Sequence, residues 1–327
     1  MVYLQIIIGF VLLLGGAEFL VRGAVQISVR FGLSMLLIGM TVVAFGTSAP
    51  EFLVSLSAAL EGSPAIALGN VVGSNIANVL LILGTTALLA PIMVDTRAVI
   101  RDGLMLTGAS VLFLGLSLTD TISQTAGLVM VVALGGYFTS SYIRERNTAN
   151  ASEALHEREA EEFQDITMST PMAWISLLGG LIALSFGADQ LVNGGTLIAR
   201  DFGVSEEVIG LTLIAFGTSL PELAASVVAA RRGHTDVAIG NVIGSNLFNT
   251  LGVAGGVAMV VPLPVPEQLI RFDLWVMTAA TFALLVFLST GTRIGRRAGG
   301  LFLLAYGLYI AAQVAGVERV LEIFGGS

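Results

Sequence analysis

The hexapeptide GTSAPE at residues 46–51 returns as GTSLPE at residues 217–222, and both copies lie inside long apolar stretches. Around them, residues 38–78 align without a gap with residues 209–249 at a constant offset (222 − 51 = 171). Half or more of the aligned positions are identical, among them nearly all the polar ones inside the hexapeptides. Self-similarity over this length indicates that the chain consists of two homologous halves.

The duplication reaches back beyond the hexapeptides, because the same offset carries GAE at residues 16–18 onto GAD at residues 187–189. The chain is therefore divided into a first repeat at 1–143, a linker at 144–171 and a second repeat at 172–327. The linker is the only substantial polar segment, and an acidic, solvated cytoplasmic linker is the simpler interpretation. A regulatory cation site in the linker is the alternative. Its acidic residues are Glu145, Glu153, Glu157, Glu159, Glu161, Glu162 and Asp165.

The composition indicates a membrane protein. Mean hydropathy is +0.90 and only 12% of the residues are charged, whereas soluble domains carry about 25%. Ten apolar runs approach the roughly 20 residues that a transmembrane helix needs, so the sequence predicts an all-α polytopic membrane protein with ten transmembrane helices. The first run lacks a basic leader and is expected to be a retained span. The runs lie near 3–21, 33–60, 66–90, 102–118, 124–143, 172–195, 205–230, 237–262, 272–290 and 298–316.

The distribution of basic residues predicts the orientation. All fifteen are Arg, and with the N-terminus outside only Arg200, Arg271 and Arg319 fall on the outer side, which leaves twelve inside (15 − 3 = 12). This positive-inside bias predicts that both termini lie outside. Each repeat then holds five spans, an odd number, so the second repeat must be inverted relative to the first. Inverted repeats with midplane sites are typical of secondary transporters.

The hexapeptides carry the first set of candidate functional residues. Pro50 and Pro221 are expected to break their helices, because proline removes a backbone donor and clashes with the preceding turn. Such breaks are tolerated at membrane depth only where protein or a water-filled cavity satisfies the backbone. Glu51 and Glu222 are the acids of the two copies, and an ionisable residue inside a span is functional by default. A protonated carboxylate that only locks helices together is the alternative. The carbonyls expected to be freed are those of Ala44, Thr47, Ala215 and Thr218.

A second motif, GNVVGSNIAN at residues 69–78, returns as GNVIGSNLFN at residues 240–249. Its Ser and its last Asn are i, i+4 and share a helix face, and its glycines, four residues apart, favour close helix approach. The face-sharing pairs are Ser74 with Asn78 and Ser245 with Asn249. For the other amides, Asn70, Asn75, Asn241 and Asn246, interhelical hydrogen bonding is the leading interpretation.

The candidate ligands are all oxygens: carboxylates, hydroxyls, amides and carbonyls. Hard oxygen ligands suit Ca²⁺ and Na⁺, whereas Zn²⁺ and copper favour imidazole or thiolate. The chain has no Cys, and its two histidines, His156 and His234, lie in predicted loops. Because two carboxylates neutralise one Ca²⁺ or about two Na⁺, one pocket can hold either load in turn, which is what antiport requires. No cofactor is expected; the ions are the cargo.

The paired motifs resemble the α-repeats of the Na⁺/Ca²⁺ exchanger family of the cation/Ca²⁺ antiporter superfamily, and the resemblance spans nearly the whole chain. It implies ten helices in two inverted five-helix repeats, a site formed by the second, third, seventh and eighth helices, and sliding of the first and sixth. It also implies Ca²⁺ ligation by Glu51 and Glu222 with the carbonyls of Thr47 and Thr218. The implied Na⁺ ligands are Ser48, Ser74, Ser219, Ser245 and the carbonyls of Ala44 and Ala215, with Asn78 in the middle of the site.

Asn249 departs from one branch of that family. It occupies the position where K⁺-dependent exchangers and some prokaryotic ones carry Asp, so the resemblance implies a K⁺-independent, electrogenic exchanger. The linker is too short for the large regulatory domains of animal exchangers, which implies a compact prokaryotic protein of the cell (inner) membrane.

Glu18 and Asp189 are the other acidic residues that the analysis places within spans. Glu18 precedes Arg22 by one turn, which favours a structural ion pair; a gating role on the sliding helices is the alternative for both acids.

Three rival functions remain open at this point. A Ca²⁺/H⁺ antiporter would use the same fold with protons replacing Na⁺. A cation channel is disfavoured by inverted repeats around a carboxylate pair. An enzyme is disfavoured because no His or paired-Asp arrangement lies within the spans. The expected partners are the two ions and the lipid bilayer, with no nucleic acid, and the oligomeric state is left open, a monomer included.

Overall fold

A computed structural model describes residues 2–93, 96–149, 168–202, 215–290 and 293–317. The chain is almost entirely helical there. The helices, numbered in chain order, are α1 (Val2–Phe31), α2 (Met35–Ile38), α3 (Ala44–Thr47), α4 (Ala49–Leu60), α5 (Pro64–Ile76), α6 (Leu83–Leu89), α7 (Thr96–Ser117), α8 (Gln124–Ala149), α9 (Thr170–Asp201), α10 (Ala215–Thr218), α11 (Leu220–Arg231), α12 (Thr235–Leu247), α13 (Ala254–Val260), α14 (Leu274–Thr290) and α15 (Arg296–Ala315).

In the described ranges, four π-helical segments join or extend these helices: Gly39–Val43, Ala77–Ile82, Phe248–Val253 and Leu269–Asp273. The strands in those ranges are four two-residue segments that form two antiparallel pairs. β1 (Ile92–Met93) pairs with β4 (Arg293–Ile294), and β2 (Thr121–Ile122) pairs with β3 (Leu263–Pro264).

Within the described ranges, eight helices are long and apolar enough to cross a membrane, or nine if the bent pair Met35–Thr47 and Ala49–Leu60 is one span. The protein is therefore a multi-pass membrane protein. The predicted span at 205–230 falls partly on residues 203–214, outside the described residues; its described part is α10 and α11.

The helices of the first and sixth predicted spans, α1 and α9, are longer than predicted. α1 continues ten residues beyond the predicted end (31 − 21 = 10), and α9 continues six (201 − 195 = 6). The added residues of α1 include Arg22, Gln26, Ser28 and Arg30, which lower the hydropathy of these turns. They are stabilised by contacts such as Arg22 Nε to Glu18 Oε1 at 2.6 Å. α1 ends at Gly32, whose φ of +61° is a left-handed conformation that glycine adopts without strain.

The chain divides into two compact units, each built from segments of both sequence repeats. Unit 1 is residues 1–50 and 132–245, and unit 2 is residues 51–131 and 246–327. The boundary inside the first hexapeptide falls between Pro50 and Glu51.

Unit 1 is organised around backbone contact between α1 and α9. A Cβ added at Gly16 would lie 2.7 Å from the Leu184 nitrogen, and one at Gly180 would lie 2.4 Å from the Leu20 nitrogen. Small residues permit this approach, which is a common way to pack helices in membranes. The same unit brings α12 against α2 and the first π segment, since a Cβ at Gly240 would lie 2.6 Å from the Leu36 carbonyl.

Unit 2 packs helices of the first repeat against helices of the second. α7 contacts its equivalent by the repeat offset, α14, where Ser110 Oγ lies 3.5 Å from Thr281 Oγ1 (110 + 171 = 281). α6 contacts α15, where a Cβ at Gly299 would lie 2.6 Å from the Gly84 carbonyl. The equivalent of α6 by the offset is α13, so of these two contacts the one between α7 and α14 joins equivalent helices.

The prediction that Glu18 and Asp189 are the only further acids within spans is wrong. In unit 2, Asp102 and Asp273 also lie in spans and are buried. They are equivalent by the repeat offset (102 + 171 = 273) and differ in their partners. Asp102 accepts from the Arg101 guanidinium at 2.7 Å. Asp273 accepts from the Tyr309 hydroxyl at 2.9 Å and from the amides of Gln313 and Gln268.

Candidate cation site

The two hexapeptides adopt the same interrupted-helix conformation. α3 ends at Thr47 and α4 begins at Ala49, with Ser48 between them at φ −87° and ψ 5°. Ser219 has φ −88° and ψ 2° between α10 and α11. The first interruption bends the span by 42°. Each proline is the second residue of the following helix, where its missing N–H leaves no intrahelical bond unmade.

The expectation that Ala44 has a freed carbonyl is wrong. Its oxygen accepts the Ser48 N–H at 3.0 Å, and the Thr47 hydroxyl lies 3.4 Å away. The i→i−4 bond therefore persists across the interruption, because Pro50 lies two residues after Ser48 and the N–H that it lacks is not the one that bonds Ala44. The second copy closes differently: the Ser219 N–H donates to the Phe216 carbonyl at 3.2 Å, a tighter i→i−3 turn.

In unit 1 the carboxylate of Glu222 is fully buried and is held by a residue of the other hexapeptide. Ser48 Oγ donates to Glu222 Oε1 at 2.8 Å. Glu222 Oε2 has no hydrogen-bond partner in the described part of the chain, and neither do the buried hydroxyls of Ser219 and Ser245. Leaving buried polar atoms unpaired costs about 1–3 kcal/mol each. A bound cation would satisfy oxygens of this kind.

Unit 2 contains a matching set of buried oxygens. Glu51 is 1% exposed and Asn249 is fully buried. Ser74 Oγ, Asn78 Oδ1 and both polar atoms of the Asn249 side chain have no partner among the described residues. Asn78 uses its Nδ2 to donate to Asn246 Oδ1 at 2.9 Å. Unit 2 therefore also holds buried oxygens that a bound cation would satisfy.

The π-helical turns in this motif were not predicted from the sequence. They begin at Ala77 and at Phe248, so Asn78 and Asn249 lie in π turns whereas Ser74 lies in α5. Such turns occur frequently at functional sites because they redirect side chains. Residue type does not distinguish them from ordinary helix, so no sequence signal could have found them.

The expectation of interhelical hydrogen bonding for the other amides is confirmed for three of four. Asn70 Nδ2 donates to Ser55 Oγ at 2.9 Å, Asn241 Nδ2 donates to Ser226 Oγ at 2.9 Å, and Asn246 accepts from Asn78. It is wrong for Asn75, whose Nδ2 bonds within its own helix to the Val71 carbonyl at 2.9 Å.

The close approach expected at the glycines of the second motif is confirmed for Gly240 and Gly244, where an added Cβ would lie 2.6 Å from the Leu36 carbonyl and 2.3 Å from the Met40 carbonyl. For Gly69 and Gly73 the neighbours equivalent by the repeat offset fall at 207 and 211 (36 + 171 and 40 + 171), outside the described residues.

The acids considered for gating have different surroundings. Glu18 makes the expected ion pair with Arg22, and Arg232, at the end of α11, adds a second one at 2.5 Å. Asp189 is exposed, accepts from Gln190 at 3.2 Å, and lines an apolar cavity of about 1050 Å³ that also touches Gly46.

The predicted ligands are distributed over the two units. Unit 2 holds Glu51, Ser74, Asn78 and Asn249. Within unit 1 the structure joins Ser48 to Glu222 and Thr47 to Asn241. The other predicted ligands in unit 1 are Ala44, Ala215, Thr218, Ser219 and Ser245.

Comparison with known proteins identifies the family. The profile described as "Sodium/calcium exchanger protein" matches residues 1–143 and 172–315. The sodium/calcium exchanger MaX1 of Methanosarcina acetivorans is 33% identical over 93% of this chain and 96% of its own length. The inner membrane protein YrbG of Escherichia coli is 34% identical over 79% of each chain.

A solved structure of the sodium-calcium exchanger NCX_Mj, soaked with zero Na⁺ and Ca²⁺, superimposes with a TM-score of 0.82 at 32% identity, covering 96% of this chain and 100% of that one. The helical fold, the doubled motifs and these matches agree, and the chain belongs to the sodium/calcium exchanger family.

Proposed function

We propose that this chain exchanges Na⁺ for Ca²⁺ across the cell membrane by alternating access, with Glu51 and Glu222 as the charged ligands. The observation that carries the proposal is the buried carboxylate of Glu222, which keeps one oxygen unpaired among buried serine hydroxyls that also have no partner in the described chain. Family membership supplies the reaction class.

The proposed ligand set follows from oxygen chemistry. Ca²⁺ takes six to eight oxygens, carboxylates and carbonyls among them, so Glu51 and Glu222 bind it with the Thr47 and Thr218 carbonyls. Na⁺ is bound by the four serine hydroxyls and the Ala44 and Ala215 carbonyls, and Asn78 and Asn249 line the middle of the site. The Ala44 carbonyl accepts from the Ser48 N–H, and its second lone pair is the one proposed to bind Na⁺. The hydrogen bond from Ser48 to Glu222 supports this arrangement. A hydroxyl that donates a hydrogen bond to the carboxylate keeps its own lone pairs for a cation.

The proposed architecture is ten helices in two inverted five-helix repeats with both termini outside, comprising repeats at 1–143 and 172–327 and an acidic linker at 144–171. The constant offset, the distribution of Arg and the two ranges matched by the family profile support it. Pro50 and Pro221 follow equivalent helix interruptions, as two copies of one element would.

Glu18 and Asp189 are proposed to act in gating on α1 and α9. The pair from Glu18 to Arg232 supports this role, since it ties α1 to the end of α11, the helix that carries Glu222. A change in the position of α1 would have to break or carry this contact.

The test is Ca²⁺ uptake into proteoliposomes with an imposed Na⁺, K⁺ or pH gradient. An outward Na⁺ gradient should drive uptake, and a pH gradient alone should not. If more than two Na⁺ exchange for each Ca²⁺, uptake should also follow an imposed membrane potential, because one charge crossing 100 mV is worth about 2.3 kcal/mol. Uptake driven by protons and indifferent to Na⁺ would replace this function by Ca²⁺/H⁺ antiport.

A further inference from the structure

The same three-residue hydrogen-bonded arrangement occurs at both glutamates. Asn241 Nδ2 donates to the Glu222 backbone carbonyl at 3.3 Å and to Ser226 Oγ at 2.9 Å. In unit 2, Asn70 Nδ2 donates to the Glu51 carbonyl at 3.2 Å and to Ser55 Oγ at 2.9 Å. All three positions are related by the repeat offset (70 + 171 = 241, 51 + 171 = 222, 55 + 171 = 226). We name each arrangement an amide brace.

The brace acts on the helix and leaves the carboxylate free. Glu222 and Ser226 are i, i+4 on α11, so their carbonyl and hydroxyl lie on one face, one turn apart. An amide on the neighbouring helix α12 that binds both groups resists rotation of α11 about its axis. Since a glutamate side chain leaves the helix at an angle fixed by that rotation, the brace sets the direction of the carboxylate.

Asn241 makes one further contact that involves the other hexapeptide. Its Oδ1 lies 3.3 Å from the hydroxyl of Thr47. Only an amide can donate to two acceptors and accept from a hydroxyl at once. Asn241 is 0% exposed, and the neighbouring Gly240 holds α12 against the Leu36 carbonyl, which leaves little room for the amide to reorient.

We infer that Asn241 and Asn70 are positioning residues that aim Glu222 and Glu51 at the cation and do not themselves bind it. This inference rests on the proposed role of the two glutamates as ligands. Loss of a partner that orients a metal ligand costs roughly 10- to 100-fold in affinity. The brace should therefore determine the half-saturating Ca²⁺ concentration more than the maximal rate.

The substitution Asn241→Asp distinguishes a cation ligand from a positioning residue, because the two roles predict opposite changes in Ca²⁺ affinity. If Asn241 were a ligand, a carboxylate would hold Ca²⁺ at least as well as the amide. If it is a positioning residue, Asp cannot donate, and two acceptors face each other at the Glu222 carbonyl. We expect the half-saturating Ca²⁺ of uptake, and of equilibrium binding in detergent, to rise roughly tenfold or more. Asn70→Asp should act in the same direction.

Matched variants complete the experiment. Gln124→Glu makes the same amide-to-carboxylate change at an exposed amide that donates to the Met259 carbonyl at 3.2 Å, and it should leave Ca²⁺ affinity unchanged. Ser226→Ala removes one brace acceptor and should weaken Ca²⁺ binding less than Asn241→Asp does.

Two results would overturn the inference. One is unchanged or tighter Ca²⁺ binding by Asn241→Asp, and the other is a loss of Ca²⁺ affinity in Gln124→Glu as large as that in Asn241→Asp. If Asn241→Asp fails to fold, Asn241→Ala and Ser226→Ala decide, because positioning requires both to raise the half-saturating Ca²⁺. Normal transport by Glu222→Gln would instead remove the proposed function, and the two failures are thereby distinguished.

Discussion

The two hexapeptides have nearly identical sequences and the same backbone conformation, yet their serines are bonded differently. Ser48 Oγ donates to Glu222, whereas Ser219 Oγ has no partner in the described chain. The Ser48 N–H reaches back four residues and the Ser219 N–H only three. The amide braces, in contrast, match within 0.1 Å (3.3 − 3.2 = 0.1). The amide contacts proposed to orient the glutamates are thus symmetric, and the serine hydroxyls proposed to bind ions are not.

This division is what alternating access would require. An inverted-repeat transporter switches sides when its two repeats exchange conformations around a fixed site. In any single conformation the repeats are therefore unequal. The positions of the braces are consistent with parts that stay constant through the exchange, and the serines with parts that change.

The largest expected effect tests whether the two carboxylates are equivalent despite these differences. Glu51→Gln and Glu222→Gln should each reduce Na⁺-driven Ca²⁺ uptake at least about 100-fold, because leaving a buried charge uncompensated costs about 3–5 kcal/mol. Glu267→Gln is the control, since this exposed glutamate pairs with Arg271, four residues along the chain. Near-normal uptake by either variant would remove the proposed site from the mechanism and with it the proposed function.

The second prediction uses the unequal serines. Ser48→Ala removes a donor to a buried carboxylate, and hydrogen bonds to charged groups are worth about 1.5–3 kcal/mol. Uptake at limiting Ca²⁺ should therefore fall roughly tenfold or more. Ser219→Ala removes a hydroxyl without a partner and should mainly raise the half-saturating Na⁺. Equal effects of the two changes on Ca²⁺ would mean that the bonding difference has no part in the cycle.

Sequence was sufficient for those features that depend on one segment at a time. Apolar length located the spans, and the prolines located interruptions that the structure has at Ser48 and Ser219. Repetition within one chain then made the candidate ligands conspicuous without any aligned relatives.

Contacts between segments that are distant in the sequence could not be predicted from the properties of single segments. The second partner of Glu18 is Arg232, 214 positions away (232 − 18 = 214), and no local pattern announces it. The prediction that the Ala44 carbonyl is freed was wrong, because hydrogen bonding around a helix interruption depends on backbone angles that residue types do not specify. Asp102 and Asp273 were overlooked inside predicted spans, since their burial depends on neighbouring helices.

A smaller effect is expected at the C-terminal ends of the helices that carry the glutamates. α11 ends in Arg231 and is followed by Arg232, whereas α4 ends in Leu60 and is followed by Glu61. The cation after α11, which pairs with Glu18 in addition to Arg22, therefore has no counterpart at the equivalent position of the first repeat. Arg232→Gln should change the uptake rate up to about fivefold, since a half-exposed ion pair is worth about 0–1 kcal/mol. The charge reversal Glu18→Arg with Arg232→Glu should restore the rate; if it does not, the pair has no gating role.

The smallest effect concerns the position where both repeats carry the same residue. Asn78 and Asn249 are equivalent by the repeat offset (78 + 171 = 249), and with amides at both positions the proposed site has two formal charges, from Glu51 and Glu222. Two carboxylates neutralise Ca²⁺ completely, so an added K⁺ would leave uncompensated positive charge at membrane depth, where it is costly. Na⁺-driven Ca²⁺ uptake should therefore be equal with K⁺ or choline as the background cation.

Asn249→Asp should break that equality. Asn249 is fully buried, and both of its polar atoms are without a partner in the described chain. A carboxylate there adds a third negative charge that must be neutralised, and either a proton or an extra monovalent cation can do so. Uptake by the variant should consequently depend on pH or on K⁺ more steeply than uptake by the parent. Asn78→Asp is the matched change in the first repeat, and a difference between the two variants would show that the asymmetry of the serines extends to the amides. If the parent itself requires K⁺, the charge count of two is wrong, and a further acid must belong to the site.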